Sequence, residues 1–413
     1  MASHRPIWIP PEIWRVIFSF ATLPPESHFV LEYVPFQRGR EYEETSGYLE
    51  EESSRLNICL ALIRVCRSWK TIGEEFLYHH VRLSNNASAL HNFVSGLRRS
   101  ADQDGLGGIG RFVWRLELPD AYFRTRPAYP LQQIATSLAE LLQLCWRVQI
   151  LVRPPLRLDA GDGQLWGELI HEPLHKKPTI YSNLRRLEWS ESDLDFRIHG
   201  ETSGQRLSEI LLRSPNLEYL SLCADLIPNI SPTPSLRTLR LNRSHYASRQ
   251  MKEAATTRPH LPNLTHLILQ ASLPSAALSF LSTVGQHLCV LEFTFAPQII
   301  YSSDQLQRIF SRCPALEELV YHLGAPELSA CQHPSIRRIR LKINTDEWFP
   351  PKHVVSTQFD LFSGPAFPRL YLHDATKSFV RRHSASPLLA RIYKRGCAIL
   401  YTDGTAVPLR AYD

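Results

Sequence analysis

No stretch of this chain approaches the ~18 consecutive apolar residues that a membrane span requires, so no membrane partner is expected. Met1-Ala2-Ser3-His4-Arg5-Pro6 runs straight into patterned sequence, with neither an apolar h-region nor a small-residue cleavage site. A secretory route is therefore not expected, and the setting read from the sequence is cytoplasmic, nuclear or both. The eight cysteines, at 59, 66, 145, 223, 289, 313, 331 and 397, form no Cys-x-x-Cys pair and no short framework spacing. That pattern argues against a disulfide scaffold and reads as reduced core thiols. Triplets such as Asn86-Ala87-Ser88 and Asn263-Leu264-Thr265 then carry no glycosylation meaning.

The sequence also lacks a Gly-x-Ser-x-Gly elbow, a phosphate-cradling lysine loop and a compact Cys/His cluster. Two strings imitate such motifs. His171-Glu172-Pro173-Leu174-His175 matches His-Glu-x-x-His, but Pro173 removes a hydrogen bond from the continuous helix on which zinc chemistry depends. Gly105-Leu106-Gly107-Gly108-Ile109-Gly110 contains Gly-x-Gly-x-x-Gly, yet it precedes a strand rather than joining a strand to a helix, and a loop is expected. No catalytic residue, metal or cofactor is predicted.

What is present is an ordinary globular balance of 44% hydrophobic and 21% charged residues with a net charge of +6. Charge is uneven. Residues 23–56 hold eight carboxylates against three arginines, and residues 38–54 offer so little apolar material that mobility is expected there. A DNA-binding reading of the N-terminus fails on this acidity, because no basic recognition helix is evident, and no nucleic-acid partner is predicted.

Beyond residue 83 one pattern recurs: apolar, two spacers, apolar, one spacer, apolar. Leu184/Leu187/Trp189, Leu217/Leu220/Leu222, Leu236/Leu239/Leu241, Leu264/Leu267/Leu269 and Leu316/Leu319/Tyr321 are clear instances, and Val113/Leu116/Leu118, Cys145/Val148/Ile150, Leu288/Leu291/Phe293, Ile336/Ile339/Leu341 and Phe367/Leu370/Leu372 complete ten. Pro215, Pro234, Pro262, Pro314 and Pro334 each stand two residues before the first apolar position. A helix such as 205–212 or 304–310 therefore runs to a proline turn and then to a short strand. Alternate strand residues such as Leu239 and Leu241 point into a core, while Thr238, Arg240 and Asn242 point out. One strand and one helix cannot bury their own apolar face, so the units must stack. The pattern resembles leucine-rich repeats, here degenerate, with starts 19 residues apart (217 to 236) to 39 apart (145 to 184). Tyr78/Val81/Leu83 fits the same triad, and His79 and His80 fall in that strand-forming stretch. Asp403-Gly404, flanked by 397–402 and 405–407, signals a hairpin.

The N-terminus carries two helix-forming segments, Ile9-Pro10-Pro11-Glu12-Ile13 with Ile17-Phe18, and Leu62 to Lys70 containing Val65-Cys66-Arg67-Ser68-Trp69-Lys70. Leu77-Tyr78-His79-His80-Val81 follows. Pro11 suits a first helical turn, Glu12 complements the helix dipole, and Ile13, Trp14, Ile17, Phe18 and Ala21 make an apolar stripe. Cys59, Leu62, Ile63, Cys66 and Trp69 make a second, with Ile58 and Val65 beside it. In order and spacing these parts resemble an F-box, similar to F-box-like proteins of mushroom-forming fungi, with Ile9 in the place of the usual leucine and residues 23–56 inserted.

The expected architecture is α/β: a helical F-box-like domain over 1–83, a repeat solenoid with a parallel concave sheet over 84–372, and a cap over 373–413. The resemblance implies a non-catalytic substrate receptor that joins a Skp-type adaptor and cullin-RING ligase core to an unknown protein substrate. It further implies that Pro10, Pro11, Ile13, Ile17, Phe18, Val65 and Trp69 form or support the adaptor surface. The alternative is a repeat scaffold without ligase association. For the substrate, the spacer columns nominate Arg240, His266, Arg338, Arg340, Lys342, Arg369 and Tyr371. An acidic or phosphorylated segment suits the basic members, and the acidic insertion is a candidate competitor for the same surface.

Overall fold

Twelve short strands and nine α-helices punctuate the described parts of the chain. The structure, a computed structural model, describes residues 9–22, 33–35, 46–84, 86–104, 107–119, 131–153, 178–190, 201–223, 233–241, 261–270, 274–294, 303–322, 333–342, 369–373, 393–394 and 396–408. The chain divides into two compact units, one of residues 1–31 and 38–217, the other of residues 32–37 and 218–413.

The first unit opens with helices α1 (Pro11–Thr22), α2 (Ser46–Leu62) and α3 (Arg67–His79). Pro11 is the first helical residue, and the Pro10 carbonyl accepts from the N–H of Ile13 (3.1 Å) and of Trp14 (3.3 Å). The segment Leu62 to Lys70, read as one helix, is instead two helix ends joined by a turn. The N–H of Val65 bonds back to the Leu62 carbonyl (3.2 Å), and Lys70 N–H bonds to Cys66 at the start of α3 (2.8 Å). The physical reason lies across the turn: Gly73 has no Cβ, and a Cβ there would meet the Ile63 side chain at 2.7 Å, so α3 folds back onto the end of α2. Within the insertion the chain is helical from Ser46 onward, and Arg55, just past the stretch expected to be mobile, is buried and donates to the Phe76 carbonyl (3.1 Å). Residues 38–45 lie outside the described residues.

Strand β1 (His80–Arg82) follows α3 with no intervening residue, so His79 is the last helical residue rather than part of the strand. It pairs in parallel with β2 (Arg115–Glu117), which pairs with β3 (Ile150–Arg153), which pairs with β4 (Arg186–Ser190). Helices α4 (Ala87–Asp104) and α5 (Leu131–Leu144), the short α6 (Pro178–Tyr181) and α7 (Glu201–Leu212) alternate with the strands. The Asn86 carboxamide caps α4, accepting from the N–H groups of Ser88 (3.0 Å) and Ala89 (3.2 Å).

The second unit continues the scheme with β5 (Tyr219–Cys223), β6 (Thr238–Leu241), β7 (His266–Gln270), β8 (Val290–Thr294), β9 (Glu318–His322), β10 (Arg338–Lys342), β11 (Arg369–His373) and β12 (Ile399–Tyr401), all pairing in parallel and in sequence order. Helices α8 (Pro274–Val284) and α9 (Ser303–Phe310) belong to it. Leu239, Leu267, Leu291, Leu319, Ile339 and Leu370 face one another through the register and are nearly inaccessible to solvent. Each such burial contributes about 2 kcal/mol against the unfolded chain. This is the leucine-rich-repeat arrangement expected from the triads. The hairpin turn is present as well: Gly404 has φ +80°, the Asp403 carboxylate accepts from Thr405 N–H (2.8 Å), and Leu400 bridges Ala406 antiparallel.

One register differs. Leu151, not Ile150, stands beside Leu116 and Leu187, so the triad of β3 is Val148, Leu151 and Arg153. Cys145 occupies a different recurrent position, three residues earlier, where its carbonyl accepts the N–H of Val148 (3.2 Å) just as Ser214 accepts from Leu217, Thr233 from Leu236 and Cys313 from Leu316. In the Ser214, Thr233 and Cys313 turns the next residue is proline, pre-set for the second turn position. Where the residue before the first apolar position is asparagine, its side chain ties repeats together. Asn183 Nδ2 donates to the Trp146 carbonyl (2.9 Å), Asn216 Nδ2 to Ser182 (2.8 Å) and Asn263 Nδ2 to Pro234 (2.8 Å).

Candidate functional site

Two surfaces were nominated by the sequence, and each is built by a different unit. On α1 the apolar residues divide into two faces. Phe18 is buried, and Trp14 and Trp69 pack with it, with ring centroids 4.6 Å apart for Trp14 and Trp69 and 5.0 Å for Phe18 and Trp69. Arg15 clamps Glu75 of α3 through two hydrogen bonds of 3.0 and 2.9 Å. That leaves Ile13, Val16, Ile17 and Phe20 exposed on the opposite side, Phe20 to 78%. Ile58 and Leu60 of α2 and Val65 of the following turn are exposed as well. Of the nominated residues, Ile13, Ile17 and Val65 are thus at the surface with Pro11, Pro10 is partly covered, and Phe18 and Trp69 stand behind as support. Val16, Phe20 and Leu60 were not nominated, although their apolar character off the main stripe was the available signal.

The second surface is the sheet face formed by the spacer residues. In the second unit one row runs Ser221, Arg240, Ile268, Glu292, Val320, Arg340, Tyr371, and the next Tyr219, Thr238, His266, Val290, Glu318, Arg338, Arg369. The expectation was an open face, yet Arg240, Ile268, Glu292, Val320, Thr238 and Glu318 are all buried. The face is more open in β10 and β11, with Arg338, Arg340, Lys342 and Tyr371 partly exposed and Arg369 exposed, and His266 of β7 is partly exposed as well. Arg338 Nε lies 3.1 Å from Glu318, Arg340 bonds to the same carboxylate, and Arg340 also stacks 4.8 Å over the Tyr371 ring. Two of the cations nominated for an acidic ligand are thus already matched by a carboxylate. Asn242, nominated beside Arg240, lies outside the described residues, as does the string 171–175.

Tyr33 reaches this face from the acidic insertion. Its hydroxyl donates to Glu292 (2.7 Å), and its ring lies 4.8 Å from that of His266. Burial, then the charge of Glu292, pushes the Tyr33 phenol well above its ordinary pKa, and burial pulls the His266 imidazole below its own. No sequence signal singled out Tyr33.

The corresponding face of the first unit carries a buried charged cluster. Glu117 lies 2.7 Å from Arg115 and 3.0 Å from His80, while Glu188 lies 2.6 Å from Arg186 and 3.8 Å from Arg115. Burial works to raise the Glu188 pKa, but Arg186 and Arg115 outweigh it and hold the carboxyl below its usual range. The repeated Arg-x-Glu of 115–117 and 186–188 was the legible sign of it. Gly108 and Gly110, from the glycine-rich string, serve backbone packing instead: Gly108 has φ +59°, and a Cβ on Gly110 would collide with the Leu144 carbonyl. Among the described residues no group of side chains suits a metal ion, and no helix is long and apolar enough to cross a membrane.

No protein-family model matches the chain, and no curated protein matches it. Among solved structures it is similar to the leucine-rich repeat-containing protein LegL7 from Legionella pneumophila, with 13% identity over 79% of this chain and 93% of that one and a TM-score of 0.37. The repeat architecture rests on the strand pairing above, independently of that likeness.

Proposed function

We infer that the chain is a non-catalytic substrate receptor of an SCF-type ubiquitin ligase, its α1–α3 helices docking a Skp-type adaptor and its repeats holding a protein substrate. The observation that carries this reading is the divided α1: one apolar face is used inside the helical trio, and a second, with Ile13, Val16, Ile17 and Phe20, is left at the surface. Exposed apolar patches rimmed by charge are characteristic of partner surfaces, and two of these residues, Ile13 and Ile17, are among those that the F-box resemblance nominates for adaptor contacts. The role of the protein would be proximity, bringing a bound substrate to the conjugating enzyme at high effective concentration. Cytoplasm and nucleus are the compartments in which such an assembly works.

Native purification tests the reading. The wild-type chain should co-purify with a Skp-type adaptor and cullin, and Ile17→Asp should lose both while retaining its thermal unfolding transition. A wild-type chain that brings down neither partner ends the ligase assignment and leaves a repeat scaffold.

A further inference from the structure

We propose that the spacer face of the second unit is a tyrosine-reading surface, whose partner is an extended protein segment presenting an unmodified tyrosine, and that Tyr33 occupies this site as an internal ligand. The inference rests on the repeats being the substrate-holding part of the chain, and not on adaptor docking.

Tyr33 lies far in sequence from β7 and β8, yet the segment 32–37 belongs to the second unit and not to the one that holds its sequence neighbours. Tyr33 to Pro35 has neither helix nor strand structure, and the Tyr33 side chain is held on the sheet face. Glu292, buried in the middle of the sheet face, accepts the phenol hydrogen bond (2.7 Å), and the His266 ring packs at 4.8 Å with a tilt of 42°. Ile268 and Val320 flank Glu292 in its row, both buried and apolar. A carboxylate in such surroundings accepts a proton donor and repels a second anion. The site therefore selects the neutral phenol over a phosphorylated tyrosine. It also selects tyrosine over phenylalanine, because phenylalanine leaves a buried carboxylate without that donor.

Two arginines of the face, Arg338 and Arg340, are already bonded to Glu318, and the group that meets the phenol hydroxyl is a carboxylate, which disfavours an added anion at this position. A segment of the same chain competes as an intramolecular ligand, at an effective concentration far above that of a dilute external segment. The apparent affinity of an external segment falls by the fraction of molecules in which the site is open.

The test uses the full-length protein and a fluorescein-labelled synthetic peptide of the chain's own residues 30–36, followed by anisotropy. Tyr33→Ala, shown to be folded by circular dichroism, should bind the peptide saturably and at least tenfold more tightly than wild type. Replacing the peptide tyrosine with phenylalanine should weaken binding at least tenfold, and phosphorylating it should abolish binding. Equal affinity for the tyrosine and phenylalanine peptides, or no binding to folded Tyr33→Ala, overturns the proposal and makes Tyr33 a purely structural anchor. Should Tyr33→Ala not fold, Tyr33→Phe serves: it keeps the ring but lacks the hydroxyl, and it should bind more peptide than wild type, with no gain counting against the proposal. Ile17→Asp should bind the peptide as its parent does, so a failed adaptor test and a failed peptide test are read separately.

Discussion

His79 stacks flat on Trp114, centroids 5.0 Å apart and planes 4° from parallel, at the point where α3 becomes β1. Burial there, with Arg55 and His80 nearby, lowers its pKa from 6.5 to about 4. The folded state therefore holds this imidazole neutral while an unfolded chain protonates it near 6.5. The contribution is complete above pH 6.5, is lost progressively as pH falls towards 4, and then levels off; its full size is on the order of 3 kcal/mol. Urea midpoints should fall between pH 7.5 and 5, and His79→Gln should flatten the decline; an unchanged slope would remove His79 as its cause. His266 and His333 are lowered in the same direction and add to it. A second residue-scale case is Arg186, whose guanidinium lies 2.6 Å from the buried Glu188, while Arg115 stands 3.8 Å away. Arg186→Leu should cost about 3–5 kcal/mol, because it strands a buried charge. Denaturant unfolding gives the value, and a loss below ~1 kcal/mol would mean that Arg115 alone suffices.

Elements were legible in the sequence wherever two signals coincided. The strands of the second unit carry both the apolar triad and, in most repeats, a proline at a fixed offset, and Leu239, Leu267 and Leu319 fall in register as read. The β3 repeat has no such proline, so Cys145, Val148 and Ile150 imitated the spacing three residues out of phase, and only hydrogen bonding separates the turn carbonyl of Cys145 from the first core position at Val148. On α1 apolarity alone gave one stripe where the helix uses two, since helical periodicity does not say which of two adjoining apolar faces meets a neighbour. Paired substitutions check the assignment. Phe18→Asp should destabilise the protein by at least 3–5 kcal/mol, since it puts a charge among Trp14, Trp69 and Phe76. Phe20→Asp should stay within about 0.5 kcal/mol of wild type. Similar losses for both would erase the distinction between inner and outer faces.

At the scale of the whole molecule, the spacer face is where sequence reading fell shortest. Alternation sends Arg240, Glu292 and Glu318 away from the leucines, and polar character then suggests solvent, whereas all three are buried. Alternation assigns a side of the sheet; it carries no information about what else packs there, and Tyr33 is such a case. The leucine side was read well because burial and apolarity coincide, and the thiols that share it report on its integrity. Burial pushes Cys145 and Cys313 up to about 12 and Cys397 up to about 11, so all three stay protonated and sheltered, while Cys66 is exposed ahead of α3. Thiolate is the reactive form. Under native conditions at pH 7.5, N-ethylmaleimide should label Cys66 within minutes, as mapped by mass spectrometry. Cys145, from the first unit, and Cys313 and Cys397, from the second, should label only at the rate at which their cores open, and that rate should rise with urea. Rapid labelling of Cys145 or Cys313 in native buffer would show that the leucine side is not the closed core that the register of these repeats describes.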